Sequence, residues 1–308
     1  MVSPTGLEPV ASGLGNRRSI QMSYGDPLEW RRISQARGQR NAMSAAGGIT
    51  TWGPDLVYFA LMTGASRAEI QFVYFDCGGT LLRVLPSVGG VYSSCAAEHG
   101  FRVEADLLDQ RFLQAWNDSK ERARARGCAC SDEILRDEWR RIVTDTFGDT
   151  ISGEAIGEVF EDLYLHFVEP SAWTLDPGIR PLLERLRRQG LRLGILSNWD
   201  RRLRRTLEKL GLLELFDQFV ISNEVGWEKP HPVVFEQAVK KAGCRAENIL
   251  HVGDSMEADI LPALGHGMRA LWVGPSSSPG QCPAGAECFE SVTAPQWKDW
   301  EGLLGICK

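Results

Sequence analysis

Gln71 to Leu82 reads Q-F-V-Y-F-D-C-G-G-T-L-L, and this stretch decides the fold. Phe72, Val73, Tyr74 and Phe75 make a short apolar run, rich in β-branched and aromatic side chains, closed by Asp76 and the glycines Gly78 and Gly79. A run of this kind predicts a strand buried on both faces. Its carboxyl end then carries an acid, and in open α/β sheets that end faces the ligand.

Downstream, from Ser171, helical and strand patterns alternate strictly. A Pro177-Gly178 turn leads into a helix through Ile179, Leu182, Leu183 and Leu186 that stops at Gly190. Strand Leu191–Leu196 follows, then a helix through Leu203, Leu207 and Leu210 ending at Gly211. Strand Phe219–Ile221 comes next, then a helix from Pro232 to Gly243. Strand Ile249–Val252, a short helix ending near Gly265 and strand Arg269–Val273 complete the set. Alternation of this kind predicts a Rossmann-like α/β fold, a parallel sheet with helices on both faces.

Between the first strand and this series lies a purely helical stretch. Val88, Val91, Tyr92 and Cys95 share a helical spacing, as do Leu108, Phe112, Ala115, Trp116 and Ser119. Ser131 is placed to cap a helix carrying Leu135, Trp139, Ile142, Val143 and Thr146, and Ser152 one carrying Ile156, Val159, Phe160, Leu163 and Phe167. The expected organisation is therefore a core at 70–86 and 171–275, a helical cap at 87–170 and a Gly/Pro/Ser-rich tail at 276–308 with a short helix around Trp300–Leu304.

Residues 1–69 differ in composition, rich in Gly, Ser, Ala and Arg without a sustained period, and read as a poorly packed extension. Thr5 to Tyr24 resembles a peptide produced when a transfer-RNA gene is translated in error, which puts the expected start of the working chain near Met43 or Met62.

Bulk properties narrow the function. A length of 308 residues with 43% apolar and 24% charged content suits a globular protein with a sizeable core. The net charge of −6 argues against a general nucleic-acid binder. Leu56–Met62, the longest apolar run, is too short to span a bilayer. The eight scattered cysteines, without a secretory signal, suggest reduced thiols and a cytoplasmic location.

Polar residues recur at the strand ends: Asp76; Ser197-Asn198; Lys229 after a Gly-Trp-Glu turn; and Gly253-Asp254-Ser255 with Asp259 beyond. A parallel sheet brings them to one edge. Carboxylates for a hard cation, a lysine, a hydroxyl and free backbone amides suit a phosphate bound with Mg²⁺. Singly, each has a bland explanation: Ser197 as a helix cap, Asp259 as an exposed charge, Lys229 as turn surface. Their joint placement at successive strand ends does not.

With these residues in place, Gln71 to about Pro275 resembles the haloacid dehalogenase superfamily of aspartate-nucleophile hydrolases, all four of whose motifs appear in order. L-S-N-W-D-R-R-L (Leu196–Leu203), G-W-E-K-P-H-P-V-V-F (Gly226–Phe235) and H-V-G-D-S (His251–Ser255) look like its domain-containing protein 3 group. The resemblance implies a helical cap after strand one and a small, phosphorylated substrate. It implies Asp76 as nucleophile, forming an aspartyl-phosphate. Ser197 and the Asn198 N–H would hold phosphoryl oxygens, and Lys229 would neutralise charge. Mg²⁺ would be ligated by Asp76, the Gly78 carbonyl and Asp254, with Asp259 in the outer shell.

One position departs from the pattern. Phosphatases of this family carry a second aspartate two residues after the nucleophile, as general acid; here it is Gly78. Loss of such a group costs about 10²- to 10⁴-fold in rate. Dehalogenases of the family also lack that acid, which opens the alternative of halide displacement from a 2-haloacid. Those enzymes, however, replace the Gly-Asp kept here as Gly253-Asp254. A third alternative is a weakly active protein that binds a phosphate ligand. The remaining features have bland expectations: Cys128-Ala129-Cys130 as a reduced surface loop, Cys282, Cys288 and Cys307 as no zinc site, Cys77 packed inward. The arginines Arg201, Arg202, Arg204 and Arg205, like Arg122, Arg124 and Arg126, read as solvated helix faces.

Overall fold

The computed structural model describes residues 69–151, 153–274, 282–295 and 297–305. The strands are β1 (Phe72–Phe75), β2 (Leu82–Val84), β3 (Trp173–Leu175), β4 (Arg192–Ser197), β5 (Gln218–Ile221), β6 (Ile249–Gly253), β7 (Arg269–Val273) and β8 (Ala286–Phe289). The helices are α1 (Val88–Glu98), α2 (Ala105–Ala125), α3 (Asp132–Phe147), α4 (Glu154–His166), α5 (Ile179–Arg188), α6 (Arg202–Lys209), α7 (Ser222–Val225), α8 (Pro232–Ala242), α9 (Leu261–Gly265) and α10 (Trp297–Leu304).

Six strands form one parallel sheet in the order β5-β4-β1-β6-β7-β8. β1 lies near its middle, and its side chains divide by the period of two. Val73 and Phe75 join the core under α5, α6 and α10, with Leu183, Leu186, Leu203 and Trp300. Phe72 and Tyr74 join the core under α8 and α9, with Val234, Phe235, Ala238 and Ala263. The Tyr74 hydroxyl reaches through its layer to donate to the Ala238 carbonyl at 3.0 Å. From β1 the chain builds outward to β4 and β5 on one side, then to β6, β7 and β8 on the other. The strand order therefore reverses at β1, and the crevice beyond its carboxyl end is where such sheets bind ligands.

α1 to α4 follow one another between β2 and β3 and enclose their own core, including Tyr92, Phe112, Ile142, Phe147 and Phe160. β2 and β3 pair antiparallel, Leu82 opposite Leu175 and Val84 opposite Trp173, so the chain enters and leaves the insert side by side. Ser131 caps α3 as expected, accepting from the Ile134 N–H at 3.2 Å. Gly153 stands at the start of α4, and the expected cap Ser152 lies outside the described residues, as do residues 1–68.

The structure differs from the sequence expectation in places. β4 runs one residue later, so that Ser197 belongs to the strand, and β6 extends to Gly253. The β2–β3 pair was not anticipated, because three-residue strands show no measurable period. Nor was β8: Ala286–Phe289 is half-buried at the sheet edge and sits in a segment whose composition suggests irregular tail. Cys282 and Cys288 form a disulfide, with Cα atoms 6.0 Å apart, which overturns the expectation of reduced thiols at that pair. A six-residue spacing around the Gly285 turn brings them together. Cys307 lies outside the described residues. The other five described cysteines are free, and Cys77 is buried as expected.

Candidate active site

The sequence-nominated side chains meet at the carboxyl edge of the sheet, some carried by their strands and some by the segments that follow. Asp76 follows β1, Ser197 ends β4, Asp254 follows β6, and Lys229 comes from the loop between α7 and α8. Asp76, Ser197, Lys229 and Asp259 are nearly or fully buried, while Asp254 keeps a face toward the crevice.

Lys229 is the hub. Its ammonium donates to Asp76 Oδ1 at 2.8 Å, to Asp259 Oδ1 at 2.5 Å and to the Leu196 carbonyl at 2.9 Å. All three protons are thus directed, and the ammonium is held in one orientation. Asp259 is equally occupied: beyond Lys229 it pairs with His251 Nε2 at 2.9 Å and accepts the Ser255 N–H at 3.1 Å. That contact needs Gly253, because a Cβ there would lie 2.4 Å from Asp259 Cγ. Asn198 works through its side chain as a clamp, its amide donating to the Lys229 carbonyl at 2.9 Å and accepting the Lys229 N–H at 2.6 Å. It joins the end of β4 to the lysine loop, a role its sequence assignment as a backbone donor did not include.

The charge balance is uneven. Oxygens of Asp76, Asp254 and Asp259 lie within 4.8 Å of one another, and one ammonium faces three carboxylates. Burial pushes Asp76 up, with Lys229 opposing it. Burial and the charges of Asp76 and Asp259 push Asp254 well above the usual carboxylate range. Burial would raise Asp259 too, but Lys229 and His251 hold it down to about 2. Burial alone would lower Lys229; Asp259 and Asp76 overcome it and raise the lysine above its ordinary value. Asp76 and Asp254 are therefore the two carboxylates left short of positive charge. A hard, all-oxygen donor set with surplus negative charge fits Mg²⁺. Gly78 lines the same crevice, and Gly79, at φ +82°, lets Asp254 approach: a Cβ there would lie 2.3 Å from Asp254 Oδ2.

At Gly78 a Cβ would rest 3.6 Å from Trp199 Cζ3, ordinary contact. The backbone there can accept a side chain; the sequence does not supply one. Trp199 borders the place where the general acid of the family's phosphatases would project.

Other residues proved more committed than their sequence suggested. Asp200 is buried and binds Arg202 at 2.7 Å, while Arg202 lies 3.5 Å from the Tyr164 ring centre and donates to the Tyr164 carbonyl. Arg202 is therefore no solvated helix charge; it fastens the loop after β4 to α4. Arg126 bridges Glu138 at 3.2 Å and Glu228 at 3.0 Å, and Arg124 pairs with Glu257. The Cys128–Cys130 loop is no free surface loop either: Cys130 is buried, and backbone bonds from Cys130 N to the Gly226 carbonyl and from Glu228 N to the Cys128 carbonyl tie α2's end to the lysine loop. His251, given no role from sequence, orients Asp259. Its signal was present: a polar residue at an inward position of a central strand.

A family model described as a haloacid dehalogenase-like hydrolase matches residues 70–267. The chain belongs to this family. It is 34% identical over 211 residues to haloacid dehalogenase-like hydrolase domain-containing protein 3 of Bos taurus, covering 68% of this chain and 84% of that protein. Over a shorter segment, 32% of this chain and 43% of its relative, it is 38% identical to a glyceraldehyde 3-phosphate phosphatase of Methanothermobacter thermautotrophicus. In structure it resembles the putative family hydrolase YfnB of Bacillus subtilis, solved bound to magnesium, with a TM-score of 0.56, 18% identity, and coverage of 78% of this chain and all of the other, a likeness of fold. A haloacid dehalogenase-like hydrolase of the domain-containing protein 3 kind, then, carries these residues on the expected parallel α/β core.

Proposed function

We propose that the protein is a phosphatase-type hydrolase (EC 3.1.3 class) acting on a small phosphorylated molecule with Mg²⁺. The observation that carries this reading is the gathering of Asp76, Lys229, Asp254 and Asp259 at the reversal point of the sheet, with carboxylate oxygens within 4.8 Å of one another. Asp76 attacks phosphorus and displaces the leaving oxygen, forming an aspartyl-phosphate. Lys229, already directed at Asp76 Oδ1, offsets charge on the nucleophile and the transferring group. Ser197 and the Asn198 N–H hold phosphoryl oxygens, and Asp259 fixes Lys229 from behind. Asp76, the Gly78 carbonyl and Asp254 would hold Mg²⁺, which supplies charge neutralisation at the phosphoryl group. The helical insert serves as the cap over this edge, and the protein works in the cytoplasm without nucleic-acid or membrane partners. Within the described residues no helix is long and apolar enough to cross a membrane. The relative named as a phosphatase of glyceraldehyde 3-phosphate supports the phosphoryl reading.

Without an acid at position 78, the leaving group must depart with little protonation. Acetyl phosphate, whose carboxylate departs unprotonated, is therefore the test substrate. The expected result is Mg²⁺-dependent phosphate release and an acid-quenched adduct on the Asp76 peptide by mass spectrometry. Release that survives in Asp76→Asn would overturn the reading. Gly78→Asp fits the space beside Trp199 and should raise turnover of alkyl phosphates by about 10²-fold or more.

Gly78 also favours a second reading, displacement of halide from a 2-haloacid, since halide leaves without a proton. Asp254, poised beside Asp76, weighs against it. Chloride release from 2-chloropropionate without metal decides for the dehalogenase. Tight phosphate binding with no turnover, unchanged by Gly78→Asp, decides for a ligand-binding protein.

A further inference from the structure

The crevice above Asp76 continues into a cavity of about 280 Å³ between the sheet edge and the helical insert. Its floor is the polar cluster. Its far wall is aromatic and apolar: Leu113, Trp116 and Trp139 from α2 and α3, with Trp116 and Trp139 rings 5.6 Å apart, and Trp199 beside Gly78 from below. Of the lining arginines, Arg126 pairs with Glu138 and Glu228, Arg124 with Glu257 and Arg202 with Asp200, while Arg83 on β2 is exposed at the rim. Lys120 is half-buried, and burial and the neighbouring Arg124 lower it, with Glu257 and Glu121 opposing. A wall of this kind offers ring faces rather than the many hydrogen bonds that a sugar or polyol needs, and its size suits a small ligand.

Resting on the phosphatase reading above, we propose that the substrate is an aryl phosphate monoester whose one- or two-ring aromatic body packs against Trp116 and Trp139. Asp76 attacks phosphorus, the P–O(aryl) bond breaks, and the phenolate leaves with the electron pair. Water then attacks the aspartyl-phosphate, the P–O(Asp76) bond breaks, inorganic phosphate departs, and the phenolate takes up the water-derived proton. A phenolate is stabilised by its ring and tolerates the missing acid. The absent side chain at position 78 and the aromatic wall are separate observations, and both select the same leaving group.

The test compares 1-naphthyl phosphate with acetyl phosphate on the full chain with Mg²⁺. A KM at least tenfold lower for 1-naphthyl phosphate is expected. Trp139→Ala should lower the naphthyl-to-acetyl ratio of kcat/KM by tenfold. Turnover of acetyl phosphate with no naphthyl advantage overturns the inference and leaves the phosphatase reading standing. If neither is hydrolysed and Asp76 carries no adduct, the phosphatase reading fails. Binding then judges the cavity by itself. In Asp76→Asn with Mg²⁺, calorimetry should give a Kd for 1-naphthyl phosphate at least tenfold below that for inorganic phosphate. Equal affinities overturn the inference, and this measurement needs no substitution in the insert.

Discussion

The two walls of the crevice are built from opposite materials. The sheet edge presents carboxylates and an ammonium, Asp76 and Asp254 just past their strands and Lys229 and Asp259 from the segments beyond, with the ammonium bonded to Asp76, Asp259 and the Leu196 carbonyl. The helical insert presents indole and aliphatic surface and turns Arg122, Arg124 and Arg126 to carboxylates of its own helices or of the core loops. One wall concentrates charge and leaves it short of neutralisation; the other neutralises its charge internally and leaves apolar area open. Under the proposed function, the difference separates chemistry from recognition. A nucleophile, a lysine and a cation site must hold their positions to within tenths of an ångström, which parallel strands provide. A wall that reads the rest of the substrate needs only shape and polarity.

The contrast can be broken first at Asp76, the proposed nucleophile. Asp76→Asn should reduce phosphate release by about 10⁴-fold or more, while the fold persists, because burial and Asp259 already disfavour the charged form of Asp76. Phosphate assays beside a urea melt check both halves.

Lys229→Met tests the charged wall next. Three carboxylates would then share the site without a cation, and a loss of about 3–5 kcal/mol is expected from urea unfolding. Added Mg²⁺ should recover part of that loss, and a variant no less stable than wild type would contradict the hub assigned to Lys229.

A smaller effect is expected at the clamp between β4 and the lysine loop. Asn198→Ala removes two bonds to the Lys229 backbone, for about 1–3 kcal/mol, and should lower kcat more than it raises KM. Smallest is the insert's own charge. Arg126→Ala takes the arginine from Glu228, while Glu138 keeps Arg122, and should cost about 1 kcal/mol. Its signature is a changed KM with kcat retained, since it loosens the apolar wall and leaves the sheet edge intact.

Much of the charged wall was legible in the chain itself. Phe72–Phe75 announces a doubly buried strand by composition, and polar residues just past such strands have few structural reasons to be there. The same logic reached Ser197 and Asp254, and the Gly-Trp-Glu turn pointed to Lys229. It failed where function runs through partnership. Arg202 reads as a helix-surface charge until Asp200 and Tyr164 are seen around it. Arg126 reads as one of three cap arginines until Glu228 arrives from a hundred residues away. β8 and the β2–β3 pair are set by pairing with distant strands, and a few residues carry too little period to reveal that.

By itself, then, the sequence determined the parallel α/β core, the strands that lead to Asp76, Ser197 and Asp254, the turn that carries Lys229, and a glycine at position 78. These are local facts, fixed by hydrophobic period, turn residues and chain order. The tertiary structure decided how charge is shared among them, that Asn198 and His251 hold the cluster in place, that Trp199 borders Gly78, and that Trp116 and Trp139 line the same cavity as Asp76. Coulomb fields and ring contacts depend on distances across the folded molecule, and those distances arise only when remote segments pack.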